Sequence, residues 1–415
     1  MPRKILIIFI IILFSIQPLV LYGEADLDLK ALIVEAKSNN PDILAAKKNW
    51  DSSLARVPQA KSLDNPTIGV KFEKIPKGTF KFDKTMPDDR MLSVEQMFPL
   101  FGKLSLKGKI AVVESQMAAA EYKNKELEII AEVKNAYYDL FMNYKETELK
   151  EQSFNLLEGI AGAARAKYST GKITQEEFFK LSLEVARLSN EIQNLKQALR
   201  AKETRLNTFL NRNPEAALGI PKMDETIDFN VDVESFYRMA IENKPELLVF
   251  SYAIERNKFA KSLAERSLFP DMAAGIVQHG IASGGFGPWD LMMSFTVPLW
   301  FWSKQKYEIK EAVANLEGAL AAYQAMKNKA LSETKGLIAN IEIAKNKINL
   351  YKANMIPILE SSISVSLVSF ASDKSDFMML LDSQRMLVET KMKYYKALVE
   401  YNMNIADLER QVGLE

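Results

Sequence analysis

From Lys103 to Asn213 the sequence contains no proline. Proline inside a helix removes a hydrogen bond and clashes with the preceding turn, so helices can run long here. The second half places Phe178, Leu181, Val185, Leu188, Ile192, Leu195 and Leu199 at alternating steps of three and four, then Leu206 and Phe209. Such a heptad seam keeps facing one partner only if the helices supercoil. The first half carries Ile110, Val113, Met117, Ala120, Leu127, Tyr137, Phe141 and Tyr144, mostly at the same spacing. Between the halves lies Lys167-Tyr168-Ser169-Thr170-Gly171-Lys172, whose glycine can take the left-handed conformation that closes a helix. The pattern predicts an antiparallel helical hairpin over 104–212. Its first helix, Leu104 to Tyr168, would be about 95 Å long. A compact soluble domain rarely needs such a rod.

The plan recurs over 304–410. A first helix is expected from Lys304 to Phe370, a turn around Ala371-Ser372-Asp373-Lys374, and a return helix with Leu380, Leu387, Tyr394, Leu398, Tyr401, Ile405 and Leu408 on one side. Earlier landmarks recur as well. Asn40-Pro41 resembles Lys244-Pro245, Asn65-Pro66 resembles Phe269-Pro270, Phe98-Pro99-Leu100 resembles Val297-Pro298-Leu299, and Tyr168 resembles Phe370. Several landmarks at one near-constant offset are the mark of an internal duplication. The expected division is a first repeat at 26–213, a connector at 214–231 and a second repeat at 232–415.

Met1 to Lys4 is basic, Ile5 to Leu21 is almost wholly apolar, and small residues follow. Residues 1–25 therefore read as a secretory signal peptide. The apolar run is also near the minimum length of a single membrane anchor. After Leu21 no stretch looks apolar enough for another membrane-spanning helix. There is no cysteine, so disulfides and a lipid-modified cysteine are excluded. A formal net charge of +1 leaves no electrostatic footprint for nucleic acid.

Four short segments separate the helices. At 66–75, Ile68, Val70 and Phe72 alternate with Thr67, Lys71 and Glu73. At 90–98, Leu92, Val94 and Phe98 alternate with Ser93 and Glu95. The segments at 270–279 and 289–297 repeat this with Met272, Ala274 and Ile276, and with Leu291, Met293, Phe295 and Val297. Period-two alternation over such lengths suits a transmembrane β-strand, and equally a soluble hairpin on a core. Trp289, Trp300, Phe301 and Trp302 gather at the strand ends, as at a membrane interface. Four strands cannot close a barrel, and an open edge does not survive in lipid, so several copies must complete one another. Three copies of four strands would give about twelve, within the range of outer-membrane barrels. Pattern alone does not choose three copies over four.

Taken together, the duplication, the Asn40-Pro41 and Lys244-Pro245 corners, Phe98-Pro99-Leu100-Phe101-Gly102-Lys103, Tyr168-Ser169-Thr170-Gly171 and Leu381-Asp382-Ser383-Gln384 resemble the TolC-like outer-membrane efflux protein family. The resemblance covers nearly the whole chain beyond the signal. It implies a mainly helical α+β fold, with long coiled-coil hairpins forming an α-barrel that continues a transmembrane β-barrel. It implies a homotrimer in the outer membrane of a Gram-negative-type cell, with most of the chain in the periplasm. Such a channel docks on a periplasmic adaptor and an inner-membrane pump. The junction at Phe98 to Lys103 is similar to the branch that serves heavy-metal and multidrug pumps.

The resemblance also suggests site residues. Tyr168, Thr170, Gly171, Phe370 and Asp373 would form the adaptor-contacting tips, although Asp373 stands where the family has glycine. Asp382 matches one lumen carboxylate at the constriction. The other match falls near Met379, with Asp376 three residues earlier. Acidic residues at those places also suit capping of a helix start. No catalytic constellation, cofactor site or metal site stands out. His279 is the single histidine, too few for a histidine–cysteine metal site or a triad. A secreted coiled-coil scaffold without a pore is the alternative, but it has no use for lipid-compatible strands at two matching points.

Overall fold

The computed structural model describes residues 26–75, 77–78, 86, 89–225, 232–281, 287–372 and 377–414. The expected signal peptide at 1–25, and both Asp373 and Asp376, lie outside them. The elements in order are β1 (Asp26–Leu27), α1 (Leu29–Asn39), α2 (Pro41–Lys61), β2 (Thr67–Phe72), β3 (Arg90–Phe98), α3 (Lys103–Ser169) and α4 (Gln175–Phe209). Then come β4 (Ile220–Pro221), α5 (Val233–Asn243), α6 (Pro245–Arg266), β5 (Asp271–His279) and β6 (Trp289–Thr296). The chain ends with α7 (Gln305–Asn349), a π-helical turn (Leu350–Met355), α8 (Ile356–Ala371) and α9 (Phe377–Gln411).

The predicted rod is present. Helix α3 has 67 residues, which is about 100 Å at the α-helical rise. It starts where Gly102 takes φ +74°, a conformation that suits glycine. It ends in a turn closed by Gly171 at φ +70°, with the Lys172 amide donating to the Lys167 carbonyl. Thr174 then opens α4 with a capping box: its hydroxyl accepts from the Glu177 amide, and the Glu177 carboxylate accepts from the Thr174 amide. Two of the orphan amides of the new helix are thereby satisfied. The seam residues Leu181, Leu188, Ile192 and Leu206 are buried, whereas Leu195 is only half-buried.

The second rod departs from the expectation of one helix over 304–370. Helix α7 gives way to the π turn, and α8 resumes one residue before Pro357. Proline lacks an amide hydrogen and its ring crowds the carbonyl four residues back; the wider turn accommodates both. This run also holds a window apolar enough by composition to cross a membrane, against the expectation that none follows Leu21. Here it belongs to the rod, where Ile358, Val365 and Val368 form an exposed apolar stripe.

The corners between paired short helices are built differently in the two halves. Asn40 caps α2 by accepting from the Asp42 and Ile43 amides, and its side-chain amide donates to the Phe209 carbonyl. Lys244 makes no cap bond. Its buried ammonium instead reaches Gln411, at 2.8 Å, and Glu333 and Glu246, at 3.3 Å each. Both devices lock a corner onto the end of a return helix. Matching cores surround them: Leu32, Ala36, Val133, Tyr137, Leu140 and Leu206 in the first half, and Ala240, Ile341, Ile348, Leu398, Tyr401 and Leu408 in the second. The connector contributes β4, which pairs in parallel with β1 and is held by the Tyr137 hydroxyl.

The other sheet has four strands in the order β2-β3-β5-β6, with every neighbour antiparallel. Helices α2, α3, α6 and α7 all meet the sheet at one end; Phe72, Arg90, His279 and Trp289 mark the other. The sheet therefore stands at the far end of the molecule from the α3–α4 turn.

Candidate functional site

The register of the sheet determines its two faces. Ile68, Val94, Ile276 and Leu291 lie in one row across the four strands. The next row has Val70, Leu92, Gln278 and Trp289, and on the helix side Phe98 and Phe295 flank Met272. Side chains two apart share a face, so this face also carries Phe72, Gln96, Ala274 and Met293. Among the described strand residues its one charge is Arg90, at the outer margin opposite Phe72. Ile68, Val70, Ile276, Leu291, Met293 and Phe295 all stand exposed. The opposite face carries Lys71, Ser93, Glu95, Asp271, His279, Asp290, Ser294 and Thr296 along with apolar residues. One face is thus exposed and nearly free of charge, and the other carries several charged and polar groups.

Aromatics mark both ends of β6. Trp289 begins the strand at the loop end. Trp300, Phe301 and Trp302 pack edge-to-face beyond its helix end, with Trp302 centred 5.9 Å from Trp300 and 5.0 Å from Phe301. The strand-to-helix junction below them is fastened internally. Lys103 donates to Asp271 at 2.9 Å and to the Phe269 carbonyl at 2.7 Å, and the Leu100 amide donates to the same carboxylate. The Phe101 ring packs 4.8 Å from Phe269, and Arg266 reaches the Phe101 carbonyl. The Phe98 to Lys103 motif thus ties one half of the chain to the other at the base of the sheet.

At the opposite end, Tyr168 stacks on Phe178 at 5.5 Å, and Tyr168, Thr170 and Gly171 are exposed. Phe370, expected at the second tip, is 7% exposed and packs in a cluster with Leu157, Ala164, Leu181, Leu188 and Leu380. Lys167 donates to its carbonyl at 2.9 Å and lies 4.3 Å from its ring centre, joining the two rod ends. Phe370 therefore closes the core beneath the tips, and the exposed second tip is represented by Ser372.

Asp382 lies beyond the first turn of α9, which holds no acidic residue among those described. It is exposed, on the side of α9 that also presents Met379 and Met386, while Leu380, Leu381 and Gln384 face inward. One turn on, Arg385 binds Glu184 of α4 at 2.5 Å, and Arg187 binds the same carboxylate at 2.7 Å. Burial alone would raise the Glu184 carboxyl; the hydrogen bonds and charges of Arg385 and Arg187 outweigh it and hold the group below its ordinary range. Sequence reasoning missed this clamp. Its trace was present: the Glu184/Arg187 spacing recurs as Asp382/Arg385 at the matching place in the second half. The packing buries the first acid and leaves the second outside.

Among the described residues no three or more histidine, aspartate or glutamate side chains converge as a metal-ligand group. Residues 32–212 match the family model described as outer membrane efflux protein. The chain is similar to the cobalt-zinc-cadmium resistance protein CzcC of Cupriavidus metallidurans, at 20% identity over 93% of this chain and 90% of that protein. The outer membrane protein VceC of Vibrio cholerae shares the fold with a TM-score of 0.78, at 15% identity over 93% of this chain and 96% of that one. The open state of the MtrE outer membrane channel of Neisseria gonorrhoeae does so with a TM-score of 0.76, at 15% identity over 93% and 89%. With its rods, its two-faced sheet and the match of residues 32–212 to the family model, the chain is similar to the TolC-like outer-membrane efflux channels.

Proposed function

We propose that three copies form the exit duct of a tripartite export system. Their sheets close into one twelve-stranded barrel in the outer membrane, and their rods continue it as a helical tube into the periplasm. The observation that carries this reading is the mostly apolar sheet face, with Arg90 its one charge among the described strand residues, ending in two unpaired edges, β2 and β6. An open edge in hydrocarbon leaves unsatisfied backbone groups, each costing several kcal/mol; neighbouring copies satisfy them. The exposed stripe on α8 fits burial between copies in the tube. The reading keeps the repeats at 26–213 and 232–415, joined by 214–231.

The tips at Tyr168, Thr170 and Gly171 meet the periplasmic adaptor, which links the duct to an inner-membrane pump. The exposed position of Asp382 outside the helix-start turn supports a lumen carboxylate rather than a cap. The cargo is a divalent heavy-metal cation, a reading supported by the relative named for cobalt, zinc and cadmium resistance. The test is growth of cells lacking the chain on Zn2+, Co2+ and Cd2+. Sensitivity that the intact gene reverses supports the cargo; unchanged resistance to all three rejects it.

A further inference from the structure

The one histidine of the chain is on the polar face of the sheet, at its loop end. His279 Nε2 lies 2.9 Å from Asp290 Oδ2 on the next strand. On the other side, Met91 of β3 stands directly across from His279 in the register. Facing residues of an antiparallel pair have Cβ atoms about 5 Å apart. An imidazole nitrogen thus has a thioether-bearing residue across from it and a carboxylate oxygen from the neighbouring row, across from Val277, on the face that would line the barrel. Lys71, across from Met91 on β2, pairs with Glu73 and so does not leave an uncompensated charge beside them.

We propose that His279 and Asp290 form a low-affinity exit site for borderline divalent cations such as Zn2+, with Met91 as a softer third donor. The inference rests on the duct reading, because only a closed barrel turns this face toward the cargo. The geometry needs little adjustment. Zinc binds imidazole nitrogen and carboxylate oxygen at about 2.0–2.2 Å, so a tetrahedral angle spaces the two donors about 3.3 Å apart. Asp290 is largely exposed and can yield the difference. In the metal-free protein a proton lies between Nε2 and the Asp290 carboxylate; a bound ion displaces it to solvent, and the ring keeps its other proton on Nδ1. Nitrogen and carboxylate donors suit borderline ions, and sulfur adds preference for softer ones. Two firm ligands, with water completing the shell, give fast release, as an exit requires.

Because the chain has a single histidine, its imidazole is a unique reporter that does not depend on whether the gate is open. Untagged full-length protein carrying isotope-labelled histidine, in detergent, is titrated with Zn2+ and, separately, Mg2+ while the ring resonances are followed by NMR. The expected result is a saturable shift with Zn2+ and none with Mg2+. Asp290→Asn should raise the Zn2+ midpoint about tenfold or more, and Met91→Leu should raise the Cd2+ midpoint while leaving the fold intact. A His279 ring that ignores millimolar Zn2+, or an Asp290→Asn midpoint equal to wild type, overturns the site. Zn2+ binding at His279 in a protein whose loss leaves metal resistance unchanged would refute the cargo reading and not the site.

Discussion

At the residue scale, burial separates positions that the heptad pattern treats alike. Leu188 is 3% exposed within the hairpin core, so Leu188→Ala should cost about 2–5 kcal/mol. Leu195 is half-buried, and its truncation should cost clearly less. Denaturant unfolding of both variants checks the order; equal losses would contradict the packing. Glu184 gives a pH prediction. Its folded carboxyl titrates below the ordinary 4.5, so its contribution is complete above that value and fades as pH falls through the depressed one. Arg385→Ala should flatten the loss of thermal stability between pH 5 and acid; an unchanged profile would show the clamp to be idle. Asp382→Asn should lower cation preference in a planar bilayer, because like carboxylates around a narrow pore favour cations. Unaltered selectivity would remove Asp382 from the constriction. The sequence gives less help here: heptad spacing identifies Leu188, but nothing local says that Glu184 turns inward while its counterpart Asp382 stays out. That difference comes from how α4 and α9 pack. The burial of Phe370 is hidden for the same reason, because similarity to Tyr168 does not reveal which of the two rod ends is covered.

At the element scale, regular periodicity was legible and interruptions were not. The proline-free heptads of 104–212 yield α3 and α4 with ends one to three residues from those expected. Period-two alternation places all four long strands, because a pleated strand with one apolar face must alternate. No period marks β4 within the connector, since two residues carry none. The π turn is not marked either: Pro357 lies in a strongly apolar run, and hydrophobic pattern masks the backbone conflict. None of Leu350–Met355 is buried, and the turn is secured from outside by Glu225, which accepts from Lys352 at 2.8 Å and from Tyr394 at 2.7 Å. Pro357→Ala should let the α-helical ladder close and slow hydrogen exchange across residues 350–357. Unchanged or faster exchange would mean that the proline does not cause the wide turn.

At the scale of the whole molecule, one chain is visibly incomplete. Among the described residues, its sheet has two unpaired edges, one face is mostly apolar with Arg90 as its one charge, and the α8 stripe has no cover. Each feature resolves if the same surfaces meet in a closed ring, which leaves no edge and no exposed stripe. The lack of cysteine makes the edges easy to test: pairs introduced along Thr67–Phe72 and Trp289–Thr296 should crosslink between copies into a covalent ring. The most direct measurement is the native mass of the intact protein extracted from the outer membrane in mild detergent. The account predicts a single species of three chains; a monomer with its sheet folded would contradict it.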